Sequence, residues 1–103
     1  MFKLEPNPTF RCKIHIPVPG TAKGVPIEFE FRHKAKTTLQ AYIEEAKTGE
    51  EVALLEEVIV GWSGVDAEYS RDSLALLLNN FPAAGAAILA GYVRELADAR
   101  LGN

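Results

Sequence analysis

Two stretches near the start of the chain, Thr9 to Val18 and Val25 to Arg32, alternate apolar and polar side chains. The apolar rows are Phe10, Cys12, Ile14 and Ile16 in the first stretch and Val25, Ile27, Phe29 and Phe31 in the second. A period of two residues indicates a strand with one buried face. The loop between the stretches is rich in proline and glycine, so the pattern predicts a β-hairpin with a long tip.

After residue 36 the spacing of apolar side chains becomes that of helices. Thr37-x-x-Gln40 and Thr48-x-x-Glu51 have the form of capping boxes, which open helices. They predict one helix that ends at Gly49 and a second that ends at Gly61. Two further helices follow in the remaining third of the chain.

Ser70 is a suitable N-cap for the third helix, which the proline after Phe81 ends. Pro82 then suits the first turn of a fourth helix that runs to about Arg100, with Gly102 as a stop signal.

An isolated hairpin is marginally stable in water, so its apolar face must pack on the helices. At 103 residues the chain has the commonest domain size. The sequence therefore predicts a single α+β domain over 1–103, with an N-terminal β-hairpin (1–36) packed on about four helices (37–103). The predicted core is Phe10, Ile14, Phe29, Phe31, Leu55, Val58, Trp62, Leu74, Leu77, Ile88 and Tyr92.

The only tryptophan lies in a short segment between the second and third helices. Gly61 and Gly64 bracket Trp62 and Ser63, which predicts a turn that directs the indole into the core. Asp66 follows, and aspartate in a turn commonly accepts hydrogen bonds from backbone amides. Gly61, Trp62, Gly64 and Asp66 are therefore expected to form a structural joint.

The first half of the fourth helix is rich in alanine and glycine. Small residues let another backbone approach closely, and each helical glycine costs about 1 kcal/mol relative to alanine. Two interpretations stay open: tight packing inside the fold, or a contact face for a partner. The partner-binding hypothesis selects Phe81, Ala84, Ile88, Gly91 and Tyr92.

The net charge of −3 argues against a general nucleic-acid binder. The charge is unevenly distributed, because residues 1–36 hold seven basic and three acidic side chains, whereas 37–103 hold four basic and eleven acidic ones. The basic front either packs beside the acidic back within one molecule or meets the back of another copy. The second possibility predicts head-to-tail homo-oligomers.

No motif predicts catalysis, a cofactor or a metal. The Gly61-Trp62-Ser63-Gly64 run lacks the final glycine of a nucleophile elbow, since that position is Val65. Cys12, His15 and His33 are the only nitrogen or sulfur candidates for a metal site. Residues 12 and 15 of one strand point to opposite faces, so we expect a buried cysteine and two exposed histidines.

One cysteine cannot form an internal disulfide, which is compatible with a reducing cytoplasm. The richest apolar run, Pro82–Tyr92, is much shorter than the roughly 18–20 residues that a membrane span needs. We therefore expect a protein without a membrane segment.

Several short motifs, in order along the whole chain, resemble those of bacteriophage tail assembly chaperones. They are Phe2-x-Leu4-x-Pro6-x-Pro8-x-Phe10, Pro19-Gly20, Phe29-x-Phe31-Arg32-His33-Lys34, Gly61-Trp62-x-Gly64-Val65-Asp66-x-x-Tyr69, Leu77-Leu78-x-x-Phe81-Pro82-x-Ala84 and Tyr92. The resemblance implies a protein of long-tailed phages or prophages that acts in the host cytoplasm and is absent from the mature virion. It also implies a partner, the tape measure protein, which the chaperone keeps soluble while tail tube subunits are recruited.

The resemblance further implies two protein forms, the longer one made by a ribosomal frameshift and able to engage the tail tube protein. Leu101-Gly102-Asn103 is compatible with the codons CUG GGA AAC, which contain a heptamer of the slippery type. Two alternative hypotheses for function stay open. One is a small structural protein of the virion, either a tail or a head-completion component, and the other is an unrelated enzyme or ligand-binding domain of similar fold class.

Overall fold

The computed structural model describes residues 1–97, which fold into three strands and four helices. In chain order these are β1 (Thr9–Ile16), β2 (Val25–Arg32), α1 (Lys36–Ala46), α2 (Glu51–Val58), β3 (Ile59–Ser63), α3 (Arg71–Asn80) and α4 (Ala84–Ala97). The predicted α+β class is confirmed. The expected helix end near Arg100, the stop at Gly102 and the codons of the last three residues lie outside the described residues.

β1 and β2 form the predicted antiparallel hairpin, with the apolar rows side by side. Cys12 pairs with Phe29, and Ile14 pairs with Ile27. The chain re-enters β2 through Gly24, whose φ is +73°. A Cβ at Gly24 would lie 2.5 Å from the carbonyl oxygen of Ile16, so this position requires glycine.

The third strand is the main departure from the sequence prediction. α2 ends at Val58, not at Gly61, and β3 pairs antiparallel with β2 to give the sheet order β1-β2-β3. The register shifts between Glu30 and Phe31, which leaves Val60 as the extra, exposed residue of a bulge. The sheet thus takes a strand from the part of the chain that was predicted to be wholly helical.

Two of the three predicted helix caps are wrong. α1 begins after Ala35 without a side-chain cap, and α2 is capped by Glu50, whose carboxylate accepts a hydrogen bond from the amide of Ala53 at 2.8 Å. The cap at Ser70 is confirmed, because its hydroxyl accepts from the amide of Ser73 in a capping box. The break at Phe81 is also confirmed, although α4 begins at Ala84 and not at Pro82.

The core lies between one face of the sheet and the four helices. Phe29, Phe31, Val58, Leu74, Ala84, Ile88 and Tyr92 are fully buried at its centre. Eight of the eleven predicted core residues are buried, and the other three, Phe10, Trp62 and Leu77, are half-buried at its edge. No charged or polar residue is buried among the described residues.

Candidate partner-binding surfaces

The predicted contact face on α4 is directed inward. Ala84, Ile88, Gly91 and Tyr92 are all buried, and only Phe81 keeps part of its surface exposed. Their small and apolar side chains pack α4 against β1 and α2, which favours the first of the two interpretations, tight packing inside the fold. The close approach that the small residues permit occurs within the fold.

Tyr92, on the same face of α4, packs and hydrogen-bonds entirely within the core. Its hydroxyl donates a hydrogen bond to the backbone carbonyl of Arg32 at 2.8 Å, and its ring packs 4.9 Å from that of Phe31 between ring centroids. Burial, with a smaller contribution from the charge of Glu57, raises the pKa of Tyr92 to about 12. Tyr92 is therefore a structural residue that ties the last helix to the end of β2.

The predicted joint is a strand followed by a turn. Trp62 lies in β3, packs edge-on against Phe29 and Tyr69, and donates from Nε1 to the carbonyl of Ala67 at 2.8 Å. The turn begins at Gly64, which has a φ of +88°, whereas Gly61 is an ordinary strand residue. Asp66 is exposed and lies within that turn, which spans residues 64–67.

The most exposed apolar side chains lie at the N-terminus. Residues 1–8, which we call the arm, precede β1, and Phe2 and Leu4 are 88% and 91% exposed. The alternation Phe2-x-Leu4-x-Pro6-x-Pro8 was visible in the sequence, but sequence reasoning used it only for the family resemblance. The arm is thus a surface feature that the sequence analysis missed.

A second apolar feature is a groove between the hairpin tip and the corner before α4. We call it the tip groove; it has a volume of about 620 Å³. It is lined by His15, Pro17, Val18, Pro19, Gly20, Thr21, Ala22, Lys23, Gly24, Pro82 and Ala83. Phe81, the remaining member of the predicted contact face, directly precedes two of the lining residues.

The exposed ion pairs do not neutralise the basic front of the chain. Only one of the ion pairs within residues 1–97 joins the basic and acidic parts, and it links Lys34 to Glu57 at 2.8 Å. Lys3, Lys13 and Lys23 have no ion pair in that part of the chain. The charge asymmetry therefore remains largely on the surface.

Within the part of the chain that the structure describes, the titratable groups form no cluster that suggests bond chemistry. Within residues 1–97, no three His, Cys, Asp or Glu side chains are grouped so that they could hold a metal ion. His15 and His33 are exposed as expected, whereas Cys12 is half-buried. Burial, and then the charge of Glu95, raises the pKa of the Cys12 thiol, which makes it a poorer nucleophile.

No single helix among the described residues has both the length and the apolar character needed to cross a membrane. The pair α3 and α4 passes that test of length and composition only when taken together, across a bend of 113°.

The described residues thus form a small α+β fold that carries an exposed apolar arm, an apolar groove and surface charge that ion pairs do not balance. The chain matches a family model described as phage tail assembly chaperone over residues 1–103, and it belongs to that family. The family resemblance drawn from the sequence is thereby confirmed. No curated protein and no solved structure gives a significant match.

Proposed function

We propose that this protein binds the tape measure protein in the host cytoplasm, keeps it soluble and helps to recruit tail tube subunits around it. Family membership over the whole chain supports a role in tail assembly. The role requires reversible binding and no catalytic step. In this proposal the protein is not an enzyme, needs no cofactor and leaves before the tail is complete.

The observation that carries the proposal is the tip groove. A volume of about 620 Å³ lies in the range of pockets that receive ligands, and Pro17, Val18, Pro19 and Pro82 give the groove a largely apolar lining. A tape measure segment that folds as an amphipathic helix would place one apolar ridge in such a groove. Each buried side chain would contribute about 1.5–3 kcal/mol before the costs of association, so binding stays reversible.

Phe81 would extend this surface beyond the groove. It is half-buried at the end of α3 and directly precedes Pro82 in the groove. Of the residues first predicted to contact a partner, Phe81 alone therefore remains in the proposed client surface.

Co-expression with the tape measure protein of the same phage tests the client surface. Ala22→Asp and Ala83→Asp place a charge in the groove at exposed positions, so the fold should be retained. We expect each to reduce the soluble tape measure protein at least fivefold. Ala41→Asp, on an exposed position of α1, is the matched control and should leave solubility unchanged. Folded groove variants that solubilise the client as well as the control does would contradict the proposal.

The proposed departure before tail completion has its own test. Mass spectrometry of purified virions should detect the tail tube and tape measure proteins but not this chain. If the chain is present at a fixed copy number per particle, it is a structural component of the virion.

Self-association and a longer form are further parts of the proposal. Many copies would line one long client, and the longer form would engage the tail tube protein. An antibody against residues 1–36 should detect two products in infected cells, and mutating the codons of 101–103 synonymously should remove the larger one. A single product in the unmutated phage would eliminate the longer form but leave client binding unaffected.

A further inference from the structure

The sequence of the arm has the alternating pattern of a β-strand, although the chain bends at Leu4–Glu5 and at Pro8. Within residues 1–97, the backbone of the arm is bonded to the rest of the fold only at its last residue, where the Pro8 carbonyl accepts a hydrogen bond from the amide of His33 at 2.9 Å. Phe2 and Leu4 alternate with Lys3 and Glu5, as in β1 and β2, where one row of side chains is buried. Phe2 and Leu4 are nevertheless almost fully exposed. An extended segment with one apolar row gains most by pairing with the edge of a sheet, where its backbone also finds hydrogen bonds.

The sheet has one edge that suits such a segment. β3 is an outer strand, and none of residues 59–63 takes part in the backbone hydrogen bonds formed outside helices and strands in the described chain. Trp62 is only half-buried at this edge, on the core side of the sheet. The other outer strand, β1, lies beside α4, which forms a groove with Lys13, Ile14 and His15.

The charges beside β3 complement those of the arm. On the solvent face, Gly61 pairs with Glu30 and Ser63 pairs with Glu28. Arg11 of β1 forms an ion pair with Glu28 at 3.4 Å, whereas Glu30 accepts a hydrogen bond from Thr9 and has no ion pair among the described residues. A Cβ at Gly61 would contact nothing within 4 Å, which leaves open space above the strand. A lysine on a neighbouring strand can therefore reach across Gly61 towards Glu30.

The arm of the same molecule is too short for this edge. It leaves the sheet at Thr9 of β1, and β2 and β3 both lie between β1 and this edge. A fourth strand beyond β3 would therefore lie three strand spacings from β1, which is about 14 Å at about 4.8 Å each. Residues 5–8, fully extended, span about 14 Å at 3.3–3.6 Å per residue. No chain length would remain for the turn that pairing requires.

We infer that the arm of one copy pairs with the β3 edge of a second copy, with Phe2 and Leu4 beside Trp62 and Lys3 directed towards Glu30. The arm and the β3 edge are different surfaces of one molecule. Each copy therefore carries both, and the contact repeats head to tail. The inference rests on the self-association proposed above and adds the residues that make the contact. The arm and the β3 edge share no residue with the tip groove, so client binding can be tested separately.

Sedimentation velocity over a range of concentrations tests the contact. Phe2→Ser/Leu4→Ser changes only exposed side chains and should weaken self-association at least about 30-fold, since two apolar side chains lose their burial. Its far-UV circular dichroism spectrum and its solubilisation of the tape measure protein should match the wild type. Unchanged self-association in this double variant would overturn the inference, as would a monomeric wild type.

A charge exchange tests the register. Lys3→Glu and Glu30→Lys should each weaken self-association about threefold to tenfold, and the combined variant should recover most of the loss. Additive losses in the combined variant would show that the two side chains do not meet.

Cysteine cross-linking gives an independent test in a Cys12→Ser background. Lys3→Cys and Gly61→Cys proteins, mixed under mild oxidation, should form a mixed disulfide. Lys3→Cys mixed with Lys13→Cys is the control, because Lys13 is exposed on the other outer strand. Equal cross-linking in both mixtures, or cross-linking in neither, would count against the β3 edge.

Discussion

Gly91 of α4 lies directly on Ile14 of β1. A Cβ added at Gly91 would be 2.7 Å from Cδ1 and 2.9 Å from Cγ1 of the isoleucine, both inside the core. Alanine at this position gains about 1 kcal/mol of helix propensity but overpacks the core, which costs about 1–3 kcal/mol. We therefore expect Gly91→Ala to lower the free energy of unfolding by about 1 kcal/mol, measured by urea titration.

Two variants isolate that clash. At Gly85 of the same helix, the nearest atom to an added Cβ is a carboxylate oxygen of Glu51, at the end of a flexible side chain. Gly85→Ala should therefore be neutral or stabilising. Ile14→Val removes the atom nearest to Gly91, so it should reduce the cost of Gly91→Ala when the two are combined. Equal effects of alanine at positions 85 and 91 would contradict this account of the packing.

The stability of the protein should fall at alkaline pH because Tyr92 is buried. Its pKa rises from the ordinary value of 10.0 to about 12 in the fold, so the folded state holds the phenolic proton more tightly than the unfolded chain. That contribution is fully present below pH 10 and is lost as the pH rises towards 12. In urea titrations between pH 9 and 12, the free energy of unfolding of Tyr92→Phe should fall less steeply with pH than that of the wild type. Parallel pH profiles would show that Tyr92 is not responsible.

Trp62 should contribute less to stability than a tryptophan at the centre of the core. Its indole is half-buried, so we expect Trp62→Ala to cost about 3 kcal/mol, the lower end for aromatic truncation. Trp62→Phe keeps a ring beside Phe29 but loses the hydrogen bond to Ala67, and it should cost about 1 kcal/mol. Circular dichroism in urea measures both, and a cost below 1 kcal/mol for alanine would mean that the indole is exposed.

The helix caps give a direct comparison between pattern and structure. Ser70→Ala removes the hydroxyl that accepts from Ser73 and should cost about 1 kcal/mol. Thr37→Ala and Thr48→Ala, at the two positions where the sequence has the form of a capping box, should each cost less than about 0.5 kcal/mol, because other residues occupy those cap positions. Thermal melts of the three variants decide the point.

Sequence patterns predicted the hairpin well because both strands have one buried face and alternate strictly. They failed at β3 because the bulge at Val60 breaks the alternation and Ile59 continues the apolar period of α2. The β-branched and aromatic residues of 59–62 were the available signal. Such a short run can end a helix or form a strand. Here it forms a strand because β2 has a free edge to pair with, and β2 is too far away in sequence for a local pattern to show this.

The candidate surfaces were harder to predict for a related reason. The alanine and glycine run of α4 showed that something approaches closely, but Ile14 and Glu51, which make that approach, lie far away in sequence. The alternation of the arm could be read from the sequence, yet only the structure showed that residues 1–7 pair with no strand within residues 1–97. A sequence pattern indicates that a side chain needs a packing partner, but only the fold shows which residue provides it.

The position of β3 has a consequence for the order of events during synthesis. β1 and β2 leave the ribosome first, but the strand that completes their sheet follows two helices later, and Tyr92 closes over Arg32 later still. A nascent chain that stops before residue 63 exposes Phe29 and Phe31 along an incomplete sheet. Such an intermediate would itself be prone to aggregation until β3 and α4 have been synthesised. The role proposed here, covering the apolar surface of another chain, thus has a counterpart within the protein, whose first two strands are covered only by residues made later.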